Sequence, residues 1–160
     1  MILNPHASVV FCDDLRQEAN GKQLHIGVYN DVVLFDGPLP WALPTGLWCL
    51  IKYLEPYPET LPTLAIKVRL ESKAGGVVDL IEAPVPKTDI IPQRGPLEFE
   101  KDAVKLLALS MNIQLSTLVF QEPAKLVVVV VRDGEEISAG RLRISQLSRD
   151  GTGNPIPAAL

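Results

Sequence analysis

The segment from Phe11 to Tyr29 constrains the fold more than any other part of this chain. Two apolar runs, Ser8 to Cys12 and Leu24 to Tyr29, flank a polar connection that contains Asn20-Gly21. Asn-Gly between apolar runs signals a hairpin, because both residues tolerate the backbone angles a tight turn demands. A chain that starts this way is expected to be built of antiparallel strands.

The remaining residues keep to the same grammar. Fourteen prolines and eleven glycines are scattered at intervals, the way an all-β chain punctuates its turns. Asp36-Gly37-Pro38, Gly75-Gly76 and Asp133-Gly134 each separate apolar segments. In Leu64 to Glu71, Leu64, Ile66, Val68 and Leu70 alternate with Lys67, Arg69 and Glu71, the period of a half-buried strand. Met111, Ile113, Leu115, Thr117 and Val119 alternate with Asn112, Gln114 and Ser116 in the same way.

The run Leu126 to Arg132 holds five consecutive valines, whose β-branched side chains suit a pleated surface rather than a helix. A two- or four-residue turn at Asp133-Gly134 would put Val127, Val129 and Val131 on one face with Leu142 and Ile144. Leu126, Val128 and Val130 would then share the other face with Ile137, Arg141 and Arg143; a three-residue turn would swap the pairing. In either register the strand is apolar on both sides. A second sheet is expected over one side, and a loop, helix or partner over the other.

About eight strands with little helix describe an all-β, two-sheet sandwich of immunoglobulin-like or C2-like kind, with a small β-barrel as the alternative. Residues 1–147 read as one domain and 148–160 as a flexible C-terminal tail. Leu97 to Leu109 reads as a short helix or a strand entry, and Glu82 to Pro96 as a long loop.

Composition narrows the partners. With 47% hydrophobic and 21% charged residues, the chain falls among folded proteins. The net charge of -4 is spread along the chain, and no Lys/Arg block is long enough for a nucleic-acid or membrane-surface patch. The first residues lack a charged region followed by an apolar core, so no signal peptide is expected. No apolar run approaches the roughly 20 residues of a spanning helix. A cytoplasmic protein is expected, in which Cys12 and Cys49 stay thiols buried as small hydrophobes.

Asp13, Asp14 and Glu18, with Asp31 and Asp36 further along, form the densest acidic set. Asp13, Asp14, Asp31 and Asp36 are therefore the candidate Ca²⁺ ligands, against a solvated hairpin connection as the plainer reading. His6 and His25 have no Cys or His at zinc spacing, and no nucleophile elbow or phosphate loop is present. No cofactor is expected. Trp41, set between Pro40 and Pro44, is a candidate recognition anchor or else a lid over one end of the sandwich; Trp48 is expected in the core.

Phe11-Cys12-Asp13-Asp14, Arg16, Glu18, Asn20-Gly21-Lys22 and Ile26-Gly27-Val28-Tyr29 together resemble a family of small bacterial and phage-associated proteins. That family carries an N-terminal Cys-Asp-Asp, Asn-Gly-Lys, Ile-Gly-Val-Tyr signature. The resemblance covers about twenty residues. It implies a β-sandwich of bacterial or phage origin and no particular reaction, since the family has no assigned activity.

The function expected from these readings is a non-catalytic module that binds a protein partner or self-associates, a homodimer being the simplest form. Its interface candidates are Trp41, Leu126, Val128, Val130, Ile137, Arg141 and Arg143. A small-ligand or Ca²⁺-binding sandwich is the second reading. The third is an enzyme with Asp14, Glu18 or His25 in a cleft.

Overall fold

The structure is a computed structural model describing residues 4–43, 45–90, 106–149 and 152–154. Among these residues eleven strands follow in order: β1 (His6–Gln17), β2 (Gln23–Tyr29), β3 (Val32–Phe35), β4 (Trp41–Leu43), β5 (Leu47–Pro56), β6 (Leu64–Ser72), β7 (Val77–Val85), β8 (Leu106–Leu115), β9 (Leu118–Phe120), β10 (Ala124–Arg132) and β11 (Glu135–Gln146). One helical turn, α1 (Lys87–Ile90), follows β7. Strand accounts for 67% of the structure and helix for 3%, and the sheets do not close into a barrel. The chain is an all-β sandwich, and the barrel alternative is set aside.

A four-stranded sheet in the order β2-β1-β5-β8 faces a five-stranded sheet in the order β3-β11-β10-β6-β7, while β4 and β9 pair separately. Every described pairing is antiparallel except β3 with β11. The core lies between the sheets. Phe11, Cys49, Ile51 and Leu115 come from the first sheet; Ile66, Val68, Leu126, Val128 and Leu142 come from the second. Each fully buried aliphatic side chain of this kind contributes roughly 1.5–3 kcal/mol. The alternation in Leu64–Leu70 is realised as expected, with Leu64, Ile66 and Val68 buried.

Among the described residues charge enters the core at one place. Glu55 on β5 is 3% exposed, and its Oε2 accepts a 2.8 Å hydrogen bond from Arg132 Nε on β10. This ion pair ties the two sheets together near the β10–β11 turn, because a buried carboxylate needs a charged partner.

The turn at Asp133-Gly134 has two residues, both with positive φ (49° and 91°), and pairs Arg132 with Glu135. The register then slips. Val129 faces Ser138 but Val128 faces Gly140, so Ala139 is an extra residue in β11. Beyond this bulge the sides exchange: Leu142 and Ile144 join Leu126 and Ala124 in the core, while Arg143 pairs with Lys125. Gly140 marks the site because a Cβ there would lie 2.7 Å from Val9 Cγ1 of the facing sheet.

Two other expectations change. Glu82 to Val85 belong to β7 and Lys87–Ile90 to α1, rather than to a long loop. Pro84 is accepted because β7 is an edge strand, where a missing N–H need not break the ladder. The tail is held at its start, since Arg149 pairs with Asp36 and its Nη1 donates to Gly153 O at 2.8 Å. Residues 97–105 of the expected helix or strand entry lie outside the described residues, as do 91–96 of the expected loop and 150–151 and 155–160 of the tail.

Candidate functional site: the outer face and edges of the four-stranded sheet

The Phe11–Tyr29 hairpin is bent where its unusual residues meet. Gly27 has φ 66°, and the Asp13 carboxylate occupies the space where a Cβ would stand. Asp13 Oδ1 accepts the Tyr29 hydroxyl, and Cys12 Sγ donates to Asp14 O at 3.4 Å. Burial, then the hydrogen bond and negative charge of Asp13, push the Tyr29 phenol up to about 12. Burial also raises the Cys12 thiol, helped by the nearby charges of Asp13 and Asp14. Asp14 Oδ2 accepts a 2.9 Å bond from Arg16 Nε. Cys-Asp-Asp and Ile-Gly-Val-Tyr therefore work together as the joint of the hairpin.

A groove of about 510 Å³ lies beside this joint. Val10 and Leu50 supply apolar lining, Lys52, Ser110 and Asn112 supply polar groups from β5 and β8, and His25 comes from the hairpin. Its size suits a small ligand.

Around the groove the outer face of the first sheet is unusually apolar. Leu24, Val28 and Val10 are 48%, 50% and 37% exposed, and Leu54 and Leu106 are exposed as well. Trp48 is half-buried opposite Cys12, outside the core expected for it, because it alternates with the fully buried Leu47 and Cys49.

The edges of the two sheets differ in kind. On the five-stranded sheet, β3 has only four residues, and β7 carries Asp79, Glu82 and Pro84. Short length, charge and proline are the usual protections of an edge. On the four-stranded sheet, β2 (seven residues) and β8 (ten residues) contain no Lys, Arg, Asp, Glu or Pro. Both present unpaired backbone donors and acceptors among the described residues.

The sequence candidates fall elsewhere. Leu126, Val128 and Val130 are fully buried against the opposite sheet, and Ile137 packs against the same core, so this group is not a surface. The extra residue in β11 moves Arg141 and Arg143 to the outer side, where Arg143 Nη2 binds Asp31 Oδ2 at 2.8 Å. No partner is needed over Val129, which is 3% exposed. Its cross-strand neighbour Lys67 pairs with Glu82, and Arg69 pairs with Glu71 and Glu136, so long side-chain stems cover the strand. Trp41 is 4% exposed, stacked on Phe35 at 5.4 Å, with its Nε1 donating to Gly37 O. It is the lid of one sandwich end, not a surface anchor.

The four acids are not brought together. Asp13 is taken up by Tyr29, Asp14 by Arg16, Asp31 by Arg143 and Asp36 by Arg149. The Arg149 hydrogen bond lowers the Asp36 carboxyl. Among the described residues no group of three His, Cys, Asp or Glu side chains could hold a metal ion. Of the enzyme candidates, His25 lines the groove, whereas Glu18 is exposed in the hairpin turn. A second groove, of about 420 Å³, lies on the five-stranded sheet beside Lys73, Lys125 and Arg143.

The unprotected edges escaped the sequence reading. The missing signal was the absence of charge in Gln23–Tyr29 and Leu106–Leu115, which matters only once a strand is known to lie outermost. Comparison with known protein families and with curated proteins returns no match for this chain. Among the described residues no helix is long and apolar enough to cross a membrane.

Proposed function

We propose that this chain is a non-catalytic protein-interaction or assembly module that works through the four-stranded sheet. The observation that carries this reading is the contrast between edges: two uncharged strands border one sheet, and a short strand and a charged, proline-bearing one border the other. An open edge flanked by exposed apolar side chains is a template for strand addition by another chain. The apolar outer face around Val10, Val28 and Leu54 would widen the contact. Self-association is the form adopted here, with a homodimer as its simplest product.

The finer assignments belong to the same proposal. An immunoglobulin-like or C2-like arrangement is supported by the facing four- and five-stranded sheets and by the non-consecutive neighbours β1–β5 and β10–β6. A cytoplasmic location is supported by two buried, unpaired thiols. Bacterial or phage origin rests on the hairpin signature alone. The groove beside His25 and Lys52 favours a second reading, a small-ligand sandwich, and it does so without the loop carboxylates first considered for that role.

The test is light scattering after size exclusion at several protein concentrations, with and without Ca²⁺. A mass that rises with concentration and ignores calcium is expected. A monomer at every concentration would overturn the assembly reading. A calcium-dependent mass would move the weight to a cation site.

A further inference from the structure

We propose that β8 pairs antiparallel with β8 of a second copy, about a two-fold axis beside Met111, so that two four-stranded sheets become one of eight strands. The inference rests on the assembly reading above and narrows it to one edge and one partner.

The first ground is regularity. β8 holds an unbroken ten-residue register with β5, from Leu106 opposite Pro56 to Leu115 opposite Leu47. The other open edge, β2, is shorter at seven residues and carries Gly27 at φ 66°, a left-handed residue within an otherwise extended strand.

The second ground is the side-chain pattern. Along β8 the odd positions Leu107, Leu109, Met111, Ile113 and Leu115 are buried or half-buried, and all the even positions are exposed. A two-fold axis that keeps the inner face of both copies on one side pairs odd with odd and even with even. With Met111 on the axis, Leu109 meets Ile113 of the partner subunit, and Leu107 meets Leu115 of the partner subunit. On the outer face Ser110 meets Asn112 of the partner subunit. On the inner face apolar groups meet apolar ones, and on the outer face uncharged groups meet uncharged ones, Ala108 facing Gln114 of the partner subunit; cross-strand pairs without charge conflict stabilise a sheet.

The third ground is charge. A two-fold axis sets a strand against itself, so charged edge residues tend to meet their own kind. The same operation on β7 would bring its acids Asp79 and Glu82 close to one another's copies. β8 has no charged residue to oppose itself. Leu109, Met111 and Ile113, which pack against the core but stay partly open, would gain the neighbour they lack. Ser110 and Asn112 also line the groove of about 510 Å³, so pairing would bring the two grooves side by side across the axis.

The full chain is tested as wild type, as Ser110→Lys/Asn112→Lys on β8 and as Leu24→Lys/Val28→Lys on β2. Mass is read by light scattering across a concentration series, and folding by the thermal melt. The expected result is a wild-type dimer, a β8 variant that melts like wild type but stays monomeric, and a β2 variant that remains dimeric. A dimer that survives the β8 substitutions, or that only the β2 substitutions dissolve, overturns the β8 assignment and leaves the assembly reading standing. A wild-type monomer throughout overturns both. Hydrogen exchange on wild type supplies a readout independent of the variants: β8 amides should gain protection as concentration rises, and unchanged β8 exchange on dimerisation overturns the proposal.

Discussion

An alanine at position 27 would need φ 66° and would set its Cβ 2.8 Å from Asp13 Cγ, overlapping the carboxylate that receives the Tyr29 hydroxyl. An L residue in the left-handed region costs about 1–2 kcal/mol, and the overlap with Asp13 adds to that. Gly27→Ala is therefore expected to lose about 2 kcal/mol or more of unfolding free energy. Gly21→Ala has φ 80° but open space around it, and is expected to lose only about 1 kcal/mol. Urea denaturation of the two variants checks the difference; equal losses would mean that Asp13 does not fill the joint. The joint's ingredients stand in plain view in the sequence, where Asp13, Gly27 and Tyr29 belong to one signature. Their arrangement does not, because it depends on a bend that brings the Asp13 side chain over the partner strand.

Neighbouring valines on β10 separate two environments within a single element. Val128 points between the sheets and is fully buried, whereas Val129 is covered on the outer face by polar neighbours, with Lys67 directly opposite. Val128→Asp would bury a lone carboxylate and is expected to cost more than about 4 kcal/mol, enough to unfold a marginal domain. Val129→Asp can meet the Lys67 ammonium and is expected to cost about 2 kcal/mol less. Circular dichroism melts of both variants decide it, and equal damage would mean that the outer face is as closed as the inner. The valine run announced a strand apolar on both sides, but not that charged stems from β6 would cover one of them. The place of the turn at Asp133-Gly134 was likewise legible, whereas its two-residue length came only with the pairing of Arg132 and Glu135. The extra residue at Ala139 was not: Gly140 hinted at irregularity, yet only the approach of Val9 from the opposite sheet gives that glycine its reason.

Across the molecule, three groups hold their protons far into the alkaline range. Burial pushes the Cys49 thiol from 9.0 up to about 12. Burial and Asp13 raise Tyr29, and burial and the charge of Glu55 raise Tyr53, each from 10.0 up to about 12. All three are acids that bind their proton more tightly when folded than unfolded. Their contribution to stability is thus complete below the unfolded values and is lost as pH climbs through the folded ones. Urea midpoints are expected to hold level up to about pH 9 and to fall between about pH 9 and 12. A level profile through that window would show that these groups reach solvent in the fold.

Strands, turns and the inward rows of β6 and β8 were readable because alternation and turn chemistry are recorded in adjacent residues. The two-layer all-β architecture followed, since half-buried strands must cover one another. Which residues remain for a partner was not readable in the same way. The assignment of Leu126, Val128 and Val130 to a surface reversed once the opposite sheet closed over them; of the two readings of Trp41 the lid is the one realised, and Trp48 lies half-buried outside the core expected for it. Exposure and edge position are set by the order of strands in the sheets. That order rests on pairings between distant parts of the chain, such as Phe11 with Cys49 and Leu50 with Asn112, which no local pattern encodes.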